Sequence, residues 1–168
     1  AFLEGFNLLG GNVCVKGLCD STLQGDSVYR VIYPKIKASG GMYDISDCPD
    51  LGPILFALSA CKNGGIFTGT ARLKIKESDR AAAMAEELSH FGTEVIVGDD
   101  MVKVIADDFH APAAVLKGHN DHRIVMSIAV LLTLTGGSIK GAQAVRKSFP
   151  DFFDRMASLG IEVLFDDT

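Results

Sequence analysis

The sequence predicts an α/β domain turned inside out, with apolar helices at its centre and short sheets wrapped around them. Two observations lead there. Three almost wholly apolar segments each end at a double glycine, and each then enters a short strand closed by another glycine. Between them lie half-polar helices, followed by stretches of the pattern Gly-x-Glu-Val. A helix that is apolar all round must be surrounded by protein, whereas an amphipathic helix keeps one face in water. The simplest packing puts the first kind inside, the reverse of an ordinary open α/β sheet.

The first apolar helix is expected over Phe2–Leu9, closed by Gly10-Gly11 and followed by a strand at Asn12–Lys16 and by Gly17. Glycine ends helices because it accepts the left-handed conformation. Between Gly25 and Gly40 the pattern weakens, and Val28-Tyr29-Arg30-Val31-Ile32 suits the start of a helix or of a strand. The second apolar helix, Leu51–Ala60, leads through Gly64-Gly65 into a strand at Ile66–Thr68 and then Gly69. A further strand, Arg72–Ile75, runs toward a helix in which Ala81, Met84, Ala85 and Leu88 share one face, with Glu86, Glu87 and Ser89 opposite. That helix closes at Gly92, before the strand Gly92–Val97. The third apolar helix, Arg123–Thr133, ends at Gly136-Gly137, with a strand at Ser138–Lys140 and then Gly141. Phe149, Phe152, Phe153 and Met156 mark the last helix, closed by Gly160 and followed by a strand at Gly160–Phe165. Repetition of a whole unit indicates a repeat-built domain, read here as one domain over residues 1–168.

Composition excludes several function classes. The chain is 48% apolar and 22% charged, as in soluble globular proteins. A net charge of −5 argues against nucleic acid as the main partner. It does not argue against a small anion, which needs only local positive charge. The longest apolar run, from Ile124 to Leu134, is too short to span a bilayer, so no membrane is expected. No signal-peptide pattern opens the chain. Cys14, Cys19, Cys48 and Cys61 form no CxxC pair and read as buried or incidental thiols in a reducing, cytoplasmic compartment.

Three strand-to-helix junctions carry the chemistry. Lys76-Glu77-Ser78-Asp79-Arg80 places two cations and a carboxylate at a helix mouth, with Ser78 as the expected N-cap. Asn120-Asp121-His122-Arg123 puts His122 and Arg123 in a first turn capped by Asp121 or Asn120. Lys147-Ser148-Phe149-Pro150-Asp151 reads as a short capping box with Lys147 just outside it. A cation in a first turn opposes the helix dipole, which is tolerated when an anion docks against it. The plainer alternative is a surface ion-pair cluster, worth little to stability. His119 and His122 lie three apart, but no third ligand is nearby, and a capping or hydrogen-bonding histidine competes with a metal site. Asp50 enters the second apolar helix, where it suits the dipole and is equally placed to act as a general base.

Taken together, Leu23-Gln24-Gly25-Asp26, Asp47-Cys48-Pro49-Asp50, Lys74-Ile75-Lys76-Glu77-Ser78-Asp79-Arg80, Asn120-Asp121-His122-Arg123 and Lys147-Ser148-Phe149-Pro150-Asp151-Phe152-Phe153 resemble the EPSP synthase family. The order agrees and the resemblance runs over nearly the whole chain. It implies a partial inside-out α/β barrel of βαβαββ units, the C-terminal part of a two-domain enzyme whose N-terminal half is absent here. It also implies transfer of the enolpyruvyl group of phosphoenolpyruvate to the 5-hydroxyl of shikimate 3-phosphate, with release of phosphate and no metal or organic cofactor. By motif, Asp50 would take the hydroxyl proton and Glu77 would protonate the methylene carbon. Lys76 would contact the shikimate side, Arg80, Arg123 and Lys147 would hold the carboxylate and phosphate of phosphoenolpyruvate, and His122 would lie near Glu77. These residue types suit the reaction: two polyanions need several cations, and arginine matches a planar carboxylate with two parallel bonds. Adding to an enol needs a proton given on one side and removed on the other, hence two carboxylates with split roles.

The sequence departs from the family in three respects. The N-terminal groups that grip shikimate 3-phosphate lie outside the chain. Arg72 stands where some members carry asparagine, so that contact is not carried over. The stretch Ser27–Ala38 is short for its unit, through natural deletion or a missing segment. Three other readings compete: a UDP-N-acetylglucosamine enolpyruvyl transferase, a non-catalytic phosphate-binding or assembly domain that binds anions, and a structural fragment with no function of its own. Competition between the two acceptor substrates would separate the first, and inactivity when joined to the other half the second.

Overall fold

A computed structural model describes residues 1–18 and 24–166. Cys19 and Leu23 lie outside the described residues. The chain opens with α1 (Phe2–Leu8). A 3₁₀ turn at Gly25–Val28 then leads into α2 (Tyr29–Ala38), which settles the ambiguous stretch as helix. Its Tyr29, Ile32, Tyr33 and Ile36 fall on one buried face. The first full unit follows: β1 (Met42–Asp44), a 3₁₀ turn at Pro49–Leu51, α3 (Gly52–Ala60), β2 (Gly65–Thr68), a 3₁₀ helix at Ala71–Ile75, α4 (Arg80–Ser89), β3 (Glu94–Val97) and β4 (Met101–Ile105). That order is βαβαββ. The second unit repeats it in part: β5 (Leu116–Lys117), α5 (His122–Thr135), β6 (Ile139–Lys140), a 3₁₀ helix at Ala142–Lys147, and α6 (Phe152–Ser158).

The first sheet has the order β1-β2-β4-β3, with β1 parallel to β2 and the other pairs antiparallel. The second is a short parallel pair, β5-β6. Every residue of α3 is buried, and α3 packs on α4, α5 and β4. The inner sheet face meets it through Phe67 and Val102, with the Phe56 and Phe67 rings 5.0 Å apart edge to face. The apolar helices are therefore inside and the sheets outside. Close backbone approach explains one of the double glycines: a Cβ at Gly64 (φ +67°) would stand 2.6 Å from the carbonyl oxygen of Val104.

Several local expectations are corrected. No strand forms at Asn12–Lys16, because the Asn7 side chain takes both backbone groups of Val13, at 2.8 and 2.6 Å, in place of a strand partner. Arg72–Ile75 is 3₁₀ helix rather than strand: Leu73 N–H closes on Thr70 O at 2.9 Å, and Asp100 takes the Ala71 N–H at 2.8 Å. Gly160–Phe165 stays irregular: Ile161 and Val163 pack against the core and Phe165 meets the Phe153 ring, but no strand among the described residues pairs with its backbone. The N-cap of α4 is Asp79, which accepts from Ala82 N–H at 3.1 Å, not Ser78. The capping box at Ser148 does not form: Asp151 is the N-cap and turns its carboxylate to Arg155 at 2.9 Å. Glu87, assigned by periodicity to the wet face of α4, is completely buried. Among the described cysteines, Cys14 is exposed, while burial pushes the Cys48 and Cys61 thiols up to about 11. No helix of the described residues is long and apolar enough to cross a membrane.

Candidate functional site

The starts of α3, α4 and α5 converge, and with them residues far apart in the sequence. Asp50 sits in the 3₁₀ turn entering α3, its oxygen Oδ1 2.7 Å from Arg80 Nη1 and 3.1 Å from Lys76 Nζ. Oδ2 of Asp50 is 3.3 Å from Arg123 Nη2, and Arg123 Nη1 donates to the Asp50 carbonyl at 2.9 Å. Arg80 is the first residue of α4, and Arg123 the second of α5. Glu77, on the loop before α4, lies 2.9 Å from His122 Nδ1 and 3.2 Å from Lys147 Nζ. The His122 contact is not aligned as a hydrogen bond, so Nδ1 is a buried ring nitrogen without a hydrogen-bond partner. Lys147 also donates to the carbonyl of Asn120. All seven predicted residues thus stand in one cluster around two carboxylates, Asp50 and Glu77.

Three participants escaped the sequence reading. Asp121 caps α5 through the Arg123 N–H at 2.9 Å, as expected, but it is also the buried counter-ion of Arg80. It takes Arg80 Nε at 2.8 Å and Nη2 at 3.3 Å, and the Ser78 hydroxyl at 3.1 Å. Ser78 is therefore a ligand of Asp121 rather than a cap. The third is Asp26, quoted above only as part of a motif, whose Oδ2 lies 3.7 Å from Arg123 Nη1. The available signal was Gly25: a Cβ there would sit 2.5 Å from the Asp47 carbonyl oxygen, so only glycine lets this turn press against the loop leading to Asp50.

Charge and burial divide the carboxylates. Burial pushes the Asp50 carboxyl up, but Arg123, Lys76 and Arg80 outweigh it and hold it below the usual range. Burial likewise opposes ionisation of Asp121, and the bonds from Arg80, Arg123 N–H and Ser78 overcome it. At Asp26 burial prevails over the pull of Arg123, with the Asp50 charge adding to it, and the carboxyl is raised. Arg80 is 2% exposed. Its contacts to Asp121 are buried and its contact to Asp50 only partly so, which leaves Asp50 as the partner an incoming anion can replace.

Two groups of described residues bring three ligand-type atoms within 4.8 Å: Glu77, Asp121 and His122, and Glu86, Glu87 and His119. The first does not suit a metal. A carboxylate offers about four lone-pair sites, and at Asp121 they are taken by two bonds from Arg80, by Ser78 and by the Arg123 N–H. Lys147 stands against Glu77 as well.

What fold and site define is an inside-out α/β repeat domain whose helix starts gather cations about two partly accessible carboxylates, an arrangement suited to a small polyanion. Residues 6–156 match the family model of EPSP synthase (3-phosphoshikimate 1-carboxyvinyltransferase). The 3-phosphoshikimate 1-carboxyvinyltransferase of Clostridium acetobutylicum is 36% identical over 97% of the chain and 42% of its own length. That of Halorubrum lacusprofundi is 40% identical over 76% of the chain and 29% of its own length. An EPSP synthase structure from Acinetobacter baumannii superposes with a TM-score of 0.59 at 31% identity, over 68% of the chain and 28% of that protein. The chain belongs to the EPSP synthase family. It spans about 42% of the length of the Clostridium relative.

Proposed function

We propose that the chain is the C-terminal domain of a two-domain enzyme that transfers the enolpyruvyl group of phosphoenolpyruvate to the 5-hydroxyl of shikimate 3-phosphate, releasing phosphate. The observation that carries this reading is the joining of Lys76, Arg80 and Arg123 to Asp50, and of His122 and Lys147 to Glu77, at neighbouring helix starts. Asp50, held ionised, is the proton acceptor for the attacking hydroxyl. As the oxygen bonds to the substituted enol carbon, Glu77 gives its proton to the methylene carbon, leaving a methyl group. In the second step that methyl returns a proton to the Glu77 carboxylate, the carbon–oxygen bond to phosphate breaks with its electron pair leaving on the phosphate, and the double bond reforms. Arg80, Arg123 and Lys147 hold the carboxylate and phosphate of phosphoenolpyruvate, and Lys76 faces the shikimate side. Exchange of the Asp50–Arg80 contact for a substrate anion frees Asp50 for its role. His122, in the first turn of α5, lies beside the Glu77 carboxyl.

The partners on this reading are the two small anionic substrates and the other domain of the same enzyme. Domain closure would complete the site and exclude water. The chain alone is therefore expected to bind phosphoenolpyruvate weakly and to show little or no turnover, with turnover appearing once the remainder of the enzyme is supplied. In the joined enzyme, Asp50→Asn and Glu77→Gln should each lower kcat by roughly 10²–10⁴-fold, the usual share of a general acid or base, while leaving phosphoenolpyruvate binding nearly intact. Steady-state kinetics beside calorimetry decide the matter. Full turnover by the isolated chain, or by either variant, would remove the reading.

A further inference from the structure

Glu87 lies in the last turns of α4, away from the charged cluster, yet it is a completely buried carboxylate. Such a group is rarely left inside a protein unless it is bonded. Both its oxygens are engaged by one short segment: Oε2 accepts the Lys117 N–H at 2.9 Å, and Oε1 lies 2.7 Å from His119 Nε2. With the Glu87 oxygen as acceptor, the imidazole N–H is the donor. The next two backbones are unusual. His119 (φ 48°) and Asn120 (φ 53°) both occupy the left-handed region, and they are the only described residues other than glycine to do so. Residues with a Cβ enter that region sparsely, and two in succession need something to hold them. The turn closes with Asp121 N–H on the Gly118 carbonyl at 2.9 Å. Its geometry is what presents the Asn120 carbonyl to Lys147 and swings Asp121 beneath Arg80.

We propose that Glu87 and His119 form a latch beneath the anion site: their bond holds the 117–121 turn in its left-handed path and thereby positions Lys147 and Arg80. Both are positioning residues and neither touches the reacting groups. The functional consequence rests on the anion-binding reading above, whereas the structural link does not.

The test uses the chain itself with inorganic phosphate and phosphoenolpyruvate as probes. His119→Ala removes the donor, and His119→Gln places an amide donor where the imidazole N–H was. His119→Ala should weaken phosphoenolpyruvate binding by about tenfold, within the range of roughly 5–150-fold usual when a group outside a binding site is coupled to it. His119→Gln should recover the affinity to within about twofold, with both variants melting within a few degrees of one another. A merely structural role would not give that recovery. Equal affinities in His119→Ala and the unmodified chain, or a glutamine variant as weak as the alanine one, would overturn the latch. Should neither anion bind even when the chain is joined to the remainder of the enzyme, the functional reading fails on its own, and the latch is judged by NMR without ligand. His119→Ala must then shift the Asn120 and Asp121 amide and Lys147 ammonium resonances, and His119→Gln must restore them; unmoved resonances overturn it. Glu87→Gln gives a second entry through the other partner, and its effect should not add to that of His119→Ala.

Discussion

Asp121 and Arg80 form a buried ion pair. The carboxylate is fully buried and the guanidinium nearly so, and each satisfies the other through two bonds. Removing one member of such a pair strands the other charge, which typically costs 3–5 kcal/mol. Asp121→Asn is therefore expected to lower unfolding stability by about 3–5 kcal/mol in urea titration. The folded-state carboxyls of Asp121 and Asp50 sit below their unfolded value, so their contribution is present above about pH 4 and is lost as the pH falls through the folded values. Asp26 runs the other way. Its folded carboxyl is raised, so it favours the fold below about pH 4 and loses that contribution as the pH rises through its folded value. Asp26→Asn should accordingly stabilise the chain at neutral pH, with the gain shrinking on acidification. Stability curves at several pH values check the sign, and a gain that grows toward low pH would contradict it.

At the scale of elements, the 3₁₀ turns matter more to the site than their length suggests. The turn at Pro49–Leu51 delivers Asp50, the one at Ala71–Ile75 leads into Lys76, and the one at Ala142–Lys147 ends on Lys147. The turn at Gly25–Val28 brings Asp26. Its approach depends on the missing Cβ of Gly25, and the backbone there needs no left-handed φ, so the requirement is one of contact alone. Gly25→Ala should cost about 1–3 kcal/mol, the usual range for overpacking. It should also uncouple Asp26 from the site, so that adding Asp26→Asn to Gly25→Ala no longer changes the pH profile. An alanine variant in which the Asp26 effect persists would show that the turn yields without moving.

Over the whole molecule, one apolar cluster draws on α1, α2, α3, α4, α5 and α6 together with β1, β2 and β4. A single continuous core predicts a single cooperative transition. The chain has no tryptophan, and its three tyrosines, Tyr29, Tyr33 and Tyr43, all lie buried in the first third. Tyrosine fluorescence thus reports the N-terminal elements, while far-UV circular dichroism reports all helices. The two urea curves should coincide, and separated midpoints would mean that the two repeat units unfold independently.

By itself the sequence determined the repeat, the inner and outer helices, and the junctions that carry Asp50, Lys76, Glu77, Arg80, His122, Arg123 and Lys147. These were legible because a helix apolar all round has only one environment open to it, and because a cation in a first turn stands out against the dipole. Tertiary structure alone decided the partnerships. Glu87 looked solvated because α4 by itself gives it a polar face; it is buried because the 117–121 turn, 30 residues on, supplies the two donors that make burial possible. Asp26 and Asp121 gained their second roles in the same way, from side chains distant in sequence. The short strands expected at 12–16 and 160–165 failed for the converse reason: a strand needs a neighbour, and local pattern cannot say whether one arrives.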